Sequence, residues 1–116
     1  MLTALPATEP GWALRTYLVL IGCAYRSETI TYGVLAAAVD RDGPNLLAEP
    51  LDCITRWCTR HGLPQLASIV VKMETGMPEP GFSAVAPDAI LSERQKVWAY
   101  DWFAHVPPSV NELMKR

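Results

Sequence analysis

The sequence predicts an α+β fold of winged-helix type, with three to four helices and a small antiparallel sheet of two or three strands. The main observation is the order of segments between Thr29 and Phe82: a short extended segment, a small helix, an amphipathic helix and a β-branched strand. A chain of 116 residues, 50% of them apolar, is long enough to bury one core without metals or disulfides. We therefore expect a single domain over residues 1–116.

Composition narrows the class of protein. The chain carries 10 basic and 12 acidic side chains, a net charge of -2, whereas proteins that neutralise nucleic-acid phosphates usually have a basic excess. Only a local basic patch could therefore bind DNA. Three cysteines, Cys23, Cys53 and Cys58, cannot all pair with one another, which favours a reducing, cytoplasmic compartment. The apolar stretch from Tyr17 to Ala24 is too short to span a bilayer, so we expect no membrane partner.

Helical periodicity and capping residues predict three helices in the first half of the chain. Apolar residues recur at helical spacing in the segment from Pro10 to Tyr25, which predicts the first helix. Thr31 can cap a short second helix from Tyr32 to Asp40 with its side-chain oxygen. A third helix from Pro50 to His61 should end at Gly62, because glycine readily adopts the left-handed conformation that closes a helix.

The second half of the chain predicts a strand, a loop and a last helix. The β-branched run from Ala67 to Lys72 is typical of a strand. The prolines from Met77 to Phe82 cannot donate to a sheet, so we expect a protruding loop there. Ser92 opens a capping-box pattern that predicts the start of the last helix, which Pro107-Pro108 ends. The residues from Ser109 to Arg116 are either a frayed tail or a short docking segment.

One face of the third helix is the best candidate binding surface. Its apolar side should face the core through Leu51, Ile54, Trp57 and Cys58. The opposite side carries hydroxyls and guanidiniums, which are groups that contact phosphates and base edges. These residues are Thr55, Arg56, Thr59 and Arg60, with Lys72 as a further cation. The alternative is a solvated helix face, in which Asp52 and Arg56 form an ordinary i,i+4 ion pair.

A family resemblance begins at residues 30–36, which read Ile-Thr-Tyr-Gly-Val-Leu-Ala. The segment resembles the Thr-Tyr-Gly-x-[Ile/Leu]-Ala segment of the alkylguanine-DNA alkyltransferase and alkyltransferase-like family, where it opens a winged helix-turn-helix that binds the DNA minor groove. The resemblance extends to about Gly76 and adds Thr31 and Tyr32 to the residues expected to contact DNA. The family's Pro-Cys-His-Arg active-site segment is replaced by residues 65–69, Gln-Leu-Ala-Ser-Ile. The resemblance therefore implies DNA binding without alkyl transfer.

The proline-rich loop is a second candidate surface. Its apolar side chains are semi-rigid and lose little entropy on ordering, which suits recognition of a protein partner. They are Met77, Pro78, Pro80 and Phe82. The alternative is a wing that folds back onto Trp98 or Trp102.

The sequence contains no complete catalytic or metal-binding constellation. Cys53 and Cys58 are five residues apart, so on a helix they point about 140° apart and cannot share one ligand sphere. Cys58 and His61 would supply only two zinc ligands. We expect no enzyme activity, no cofactor, no metal and core-filling cysteines. The sequence predicts a non-enzymatic DNA-associated or regulatory binding module of a bacterium or phage. The alternative is a protein inhibitor or accessory subunit of the anti-defence, immunity or antitoxin type.

Overall fold

The computed structural model describes residues 9–40, 44–79, 82–104 and 106–115. These ranges contain seven regular elements: α1 (Glu9–Tyr25), β1 (Ile30–Thr31), α2 (Tyr32–Ala38), α3 (Ala48–His61), β2 (Val70–Val71), α4 (Ile90–Ala99) and α5 (Val110–Met114). Short 3-10 turns lie at Pro44–Leu47, Leu66–Ile69, Pro87–Ala89 and Trp102–Ala104. The described chain is therefore mostly helical.

Helix α1 is the centre of the core. It packs against α3, α5 and the turn Leu66–Ile69. The ring of Tyr17 is fully buried and meets Trp57 of α3 edge-on, with the ring centroids 5.5 Å apart. Such edge-to-face pairs add a specific geometry to the apolar burial. The helix runs from Glu9 to Tyr25, so the apolar periodicity predicted it to within one residue.

The expected end signals of α2 and α3 are confirmed. Thr31 caps α2, because its Oγ1 accepts a hydrogen bond from the backbone N–H of Val34 at 3.3 Å. Gly62 ends α3 in the left-handed conformation, with φ of 64°. Helix α3 begins at Ala48, two residues before the predicted start. Its predicted core face is buried at Ile54, Trp57 and Cys58 and half-buried at Leu51.

The predicted antiparallel sheet is wrong. β1 and β2 form a two-stranded parallel pair, with Ile30 opposite Val70 and Thr31 opposite Val71. A parallel pair needs a long crossover connection, and α2 and α3, which lie between the strands in sequence, supply it. The strand predicted from Ala67 to Lys72 is reduced to two residues, because the turn Leu66–Ile69 occupies its first part.

The chain after β2 turns back but does not form another strand. The N–H of Gly76 donates to the carbonyl of Lys72 at 2.8 Å, and the N–H of Lys72 donates to the carbonyl of Met77 at 2.8 Å. Pro78 follows and has no N–H with which to continue a ladder. The described residues therefore contain no antiparallel wing, and the winged-helix prediction is wrong for them.

The prediction for the last helix is also wrong at both ends. Helix α4 begins at Ile90, two residues before the capping box predicted at Ser92, and ends at Ala99, well before Pro107-Pro108. The turn Pro87–Ala89 leads directly into α4, so Ser92 lies inside its first turn. After α4 the chain folds back on itself, since the indole N–H of Trp102 donates to the carbonyl of Val97 at 2.9 Å.

The C-terminal segment docks on the helical core. Ser109 caps α5, because its hydroxyl oxygen accepts a hydrogen bond from the N–H of Glu112 at 3.1 Å. Leu113 is fully buried, and α5 packs against α1 and α3. Met114 contacts Cys53 of α3, with the two sulfur atoms 3.9 Å apart. Of the two alternatives for the segment from Ser109 to Arg116, docking is confirmed for residues 109–115.

Candidate functional site

The polar face of α3 contacts other parts of its own chain. Arg60 lies over the C-terminal end of α5, where Nη2 donates to the carbonyl of Glu112 at 2.7 Å and Nη1 donates to the carbonyl of Lys115 at 3.1 Å. The last carbonyls of a helix have no N–H donor within that helix, so they accept hydrogen bonds from groups elsewhere in the protein or from water. Arg60 therefore holds the end of α5.

The second arginine of this face is engaged as well. Arg56 forms the i,i+4 ion pair with Asp52 that the solvated-face alternative predicted, and its side chain is only 23% exposed. Its Nη2 also lies 3.4 Å from the sulfur of Cys53. Thr59 accepts a hydrogen bond from the side-chain amide of Gln65 at 2.8 Å. Arg56, Thr59 and Arg60 thus all have partners within the protein.

The other residues expected to contact DNA lie in several different parts of the structure. Thr31 caps α2. The hydroxyl of Tyr32 accepts a hydrogen bond from the N–H of Glu79 at 2.8 Å. Lys72 is half-buried in the turn after β2. Tyr32 and Thr55 do come together, but they line a groove that also contains carboxylates.

We expect Arg60→Ala to loosen α5 and to lower the free energy of unfolding by about 1 kcal/mol, because two carbonyls lose a charged donor. Hydrogen exchange of the amides in residues 110–115 and urea unfolding measure the two effects. Arg26→Ala is the matched control, since Arg26 forms an exposed ion pair with Glu28 and such pairs contribute little. Unchanged exchange in α5 of Arg60→Ala would show that this contact does not hold the helix.

An open groove of about 840 Å³ lies beside α3, next to the start of α2 and the segment before α4. Its base is apolar and includes the buried residues Leu47 and Ala67. Its mouth includes exposed polar residues such as Asp52, Glu79 and Ser83. The other residues that line it are Tyr32, Ala48, Glu49, Leu51, Thr55, Phe82 and Ala84.

A hydrogen bond from the backbone connects two walls of the groove. The N–H of Glu79 donates to the hydroxyl of Tyr32, which ties the segment after β2 to the first turn of α2. Burial raises the pKa of Tyr32 above its usual value, so its hydroxyl keeps a proton at neutral pH. Tyr32 can therefore accept from Glu79 and still donate to a bound molecule.

Of the described residues predicted to bind a protein partner in the proline-rich loop, only Phe82 is found in the groove. Phe82 lines the groove, whereas Met77 and Pro78 are half-buried at the turn after β2. Pro80 lies outside the described residues. The fold-back of the loop onto Trp98 or Trp102 stays a prediction.

Sequence reasoning missed most of the polar residues in the groove, namely Glu49, Asp52, Glu79 and Ser83. One signal was present, because Glu49, Asp52 and Thr55 recur every three residues and so follow one side of α3. Glu79 and Ser83 gave no comparable signal, since they lie far from α3 in sequence. Only the folded chain brings them to the same groove.

The three cysteines fill the core, as expected. Cys23, Cys53 and Cys58 are free and buried. Burial raises the pKa of the Cys58 thiol to about 11, so at neutral pH it is protonated and a poor nucleophile. In the ranges that the structure describes, no group of three or more His, Cys, Asp or Glu side chains could hold a metal ion. The same ranges contain no helix with the length and apolar character needed to cross a membrane.

The described chain is thus a small helical protein with one parallel strand pair and an open groove whose mouth is acidic. Comparisons with family models, with curated proteins and with solved structures found no match. The groove is the feature on which a functional proposal can rest.

Proposed function

We propose that the protein is a non-enzymatic binding module that holds a segment of another protein in the groove beside α3, as an inhibitor or accessory subunit. The groove itself is the observation that supports this proposal. It has a volume of about 840 Å³ and combines a buried apolar base with exposed polar residues at its mouth. An apolar centre with a polar rim is the usual composition of a protein-protein contact.

The charges favour a protein partner over DNA. A phosphate backbone would compete with Asp52 for Arg56, and with the end of α5 for Arg60. Breaking either contact would reduce the affinity gained from the phosphates. The carboxylates of the groove would also repel a nearby polyanion. The same carboxylates present no obstacle to a protein segment.

Filling the groove tests the proposal directly. Ala84 is exposed and lines the groove, so Ala84→Trp should obstruct it without disturbing the core. Peptides selected on the wild-type protein from a displayed random library should bind Ala84→Trp at least about tenfold more weakly, a loss of about 1.4 kcal/mol. Fluorescence anisotropy measures the affinities.

Ala86→Trp is the matched control for this experiment. Ala86 is also exposed and lies two residues away, but it does not line the groove. Its affinity for the selected peptides should equal that of the wild type. If both variants lost the same affinity for the peptides, or if neither variant lost any, binding in the groove would be contradicted. Salt-sensitive binding of duplex DNA that Arg56→Ala abolishes and Ala84→Trp leaves intact would favour a DNA-binding function instead.

A further inference from the structure

We propose that the groove selects an extended basic segment, with an arginine or lysine side chain lying among Glu49, Asp52 and Glu79 and its apolar stem or neighbour on the groove base. This inference rests on the proposed function of the groove and adds the chemistry of the partner. It commits to a segment of a protein, because the groove is lined by both carboxylates and apolar side chains.

The charge of the groove is the first support. All charged side chains among the described residues that line it are carboxylates, namely Glu49, Asp52 and Glu79. Arg56 offsets the charge of Asp52, while Glu79 adds an exposed carboxylate from the segment after β2. Carboxylates from two segments of the chain that line one partly enclosed space create a negative potential that attracts a cation more strongly than a flat surface would.

The apolar surface is the second support. Leu47, Leu51 and Phe82 line the same groove, and Leu47 is fully buried at its base. Lysine and arginine have long apolar stems that pack on such surface while the charged end reaches carboxylates. A purely polar cation would leave this surface exposed to water. A basic side chain within a peptide covers both parts of the groove.

Tyr32 matches the backbone of an extended segment. Its hydroxyl accepts from the N–H of Glu79 and retains its own proton, which it can donate to a peptide carbonyl. The carboxylates around it can only accept hydrogen bonds. Tyr32 thus supplies a donor for the carbonyls of a bound peptide, and the carboxylates supply acceptors for its cation and N–H groups.

The experiment uses two synthetic peptides that differ only in charge. One alternates arginine with leucine, and the other has citrulline, which is uncharged and similar in shape, at each arginine. Fluorescence anisotropy at low salt should show at least tenfold tighter binding of the arginine peptide to the wild-type protein. Added salt should reduce this preference, because it screens the carboxylates.

Two double variants test whether the carboxylates of the groove, and not other exposed carboxylates, cause the preference for arginine. Asp52→Asn/Glu79→Gln removes two exposed carboxylates of the groove, and it should bind both peptides with similar, weak affinity. Glu74→Gln/Asp101→Asn removes two exposed carboxylates that do not line the groove, and it should keep the preference for arginine. Circular dichroism melting curves verify that both variants are folded.

The outcomes separate this inference from the proposed function. Similar affinities of the wild type for the two peptides, or no binding of the arginine peptide, would overturn the basic-segment proposal. The proposed function would still stand if Ala84→Trp abolished binding of library peptides. An equal loss of arginine preference in both double variants would indicate attraction to the acidic surface as a whole, and would also overturn the proposal.

Discussion

Trp102→Ala should lower the free energy of unfolding by about 4 kcal/mol, as expected for removal of a large aromatic side chain from a packed core. The indole is only 2% exposed and packs against Tyr100, with ring centroids 4.6 Å apart. Its N–H also donates to the carbonyl of Val97 at 2.9 Å. Alanine would leave a cavity and an acceptor without its donor. Urea denaturation followed by circular dichroism measures the loss.

The neighbouring aromatic residue provides the control. Phe103 is 59% exposed and meets Tyr25 on the surface, so Phe103→Ala should cost less than about 1 kcal/mol. Trp102→Phe should fall between the two alanine variants, since it keeps a buried ring but loses the N–H donor. Similar losses for Trp102→Ala and Phe103→Ala would show that Trp102 is not a core anchor.

Arg94→Met should cost about 3 kcal/mol, because it leaves two backbone carbonyls without a charged donor. Arg94 is only 6% exposed. Its Nε donates to the carbonyl of Ser68 and its Nη2 donates to the carbonyl of Gly76, both at 2.8 Å. Burial lowers the pKa of Arg94, yet a guanidinium stays charged in proteins. Arg94 therefore ties α4 to the turns on both sides of β2.

Arg94→Lys distinguishes charge from geometry. An ammonium group keeps the charge but lacks the planar fork that reaches two separate carbonyls, so Arg94→Lys should also be destabilised, though less than Arg94→Met. Lys96→Met is the surface control, because the Lys96 side chain is 65% exposed, and its effect should stay within about 0.5 kcal/mol. A melting temperature of Arg94→Met within a degree or two of the wild type would contradict a structural role, since about 3 kcal/mol corresponds to roughly 10 °C.

The contrast between Arg94 and the arginines of α3 shows what sequence patterns miss. Arg56 has its partner four residues away, and the helical spacing alone predicted that ion pair as an alternative. Arg60 binds carbonyls 52 and 55 residues away, and Arg94 binds one 26 residues away. No local pattern indicates contacts at such separations. For this reason the sequence alone leaves Arg60 available for DNA.

The strand pair is a second feature that the sequence patterns did not predict correctly. Residues 66–71 are fully or nearly fully buried, and all but Ser68 are apolar. A short run of this kind has no periodicity that separates a strand from a helical turn. The direction of β2 depends on where the chain travels between β1 and β2. Helices α2 and α3 supply the long crossover that the parallel pair requires, but their presence in the sequence does not decide between the two directions.

The sequence by itself determined α1, α2 and α3 to within two or three residues at each end, the Thr31 cap, the Gly62 stop and the core-facing cysteines. These features depend on hydrogen bonds and side-chain spacing within one or two helical turns. Only the tertiary structure decided the strand direction, the docking of α5, the partners of Arg60 and Arg94, and the acidic groove. Each of these requires contacts between residues that are distant along the chain, and their geometry is set by how the helices pack.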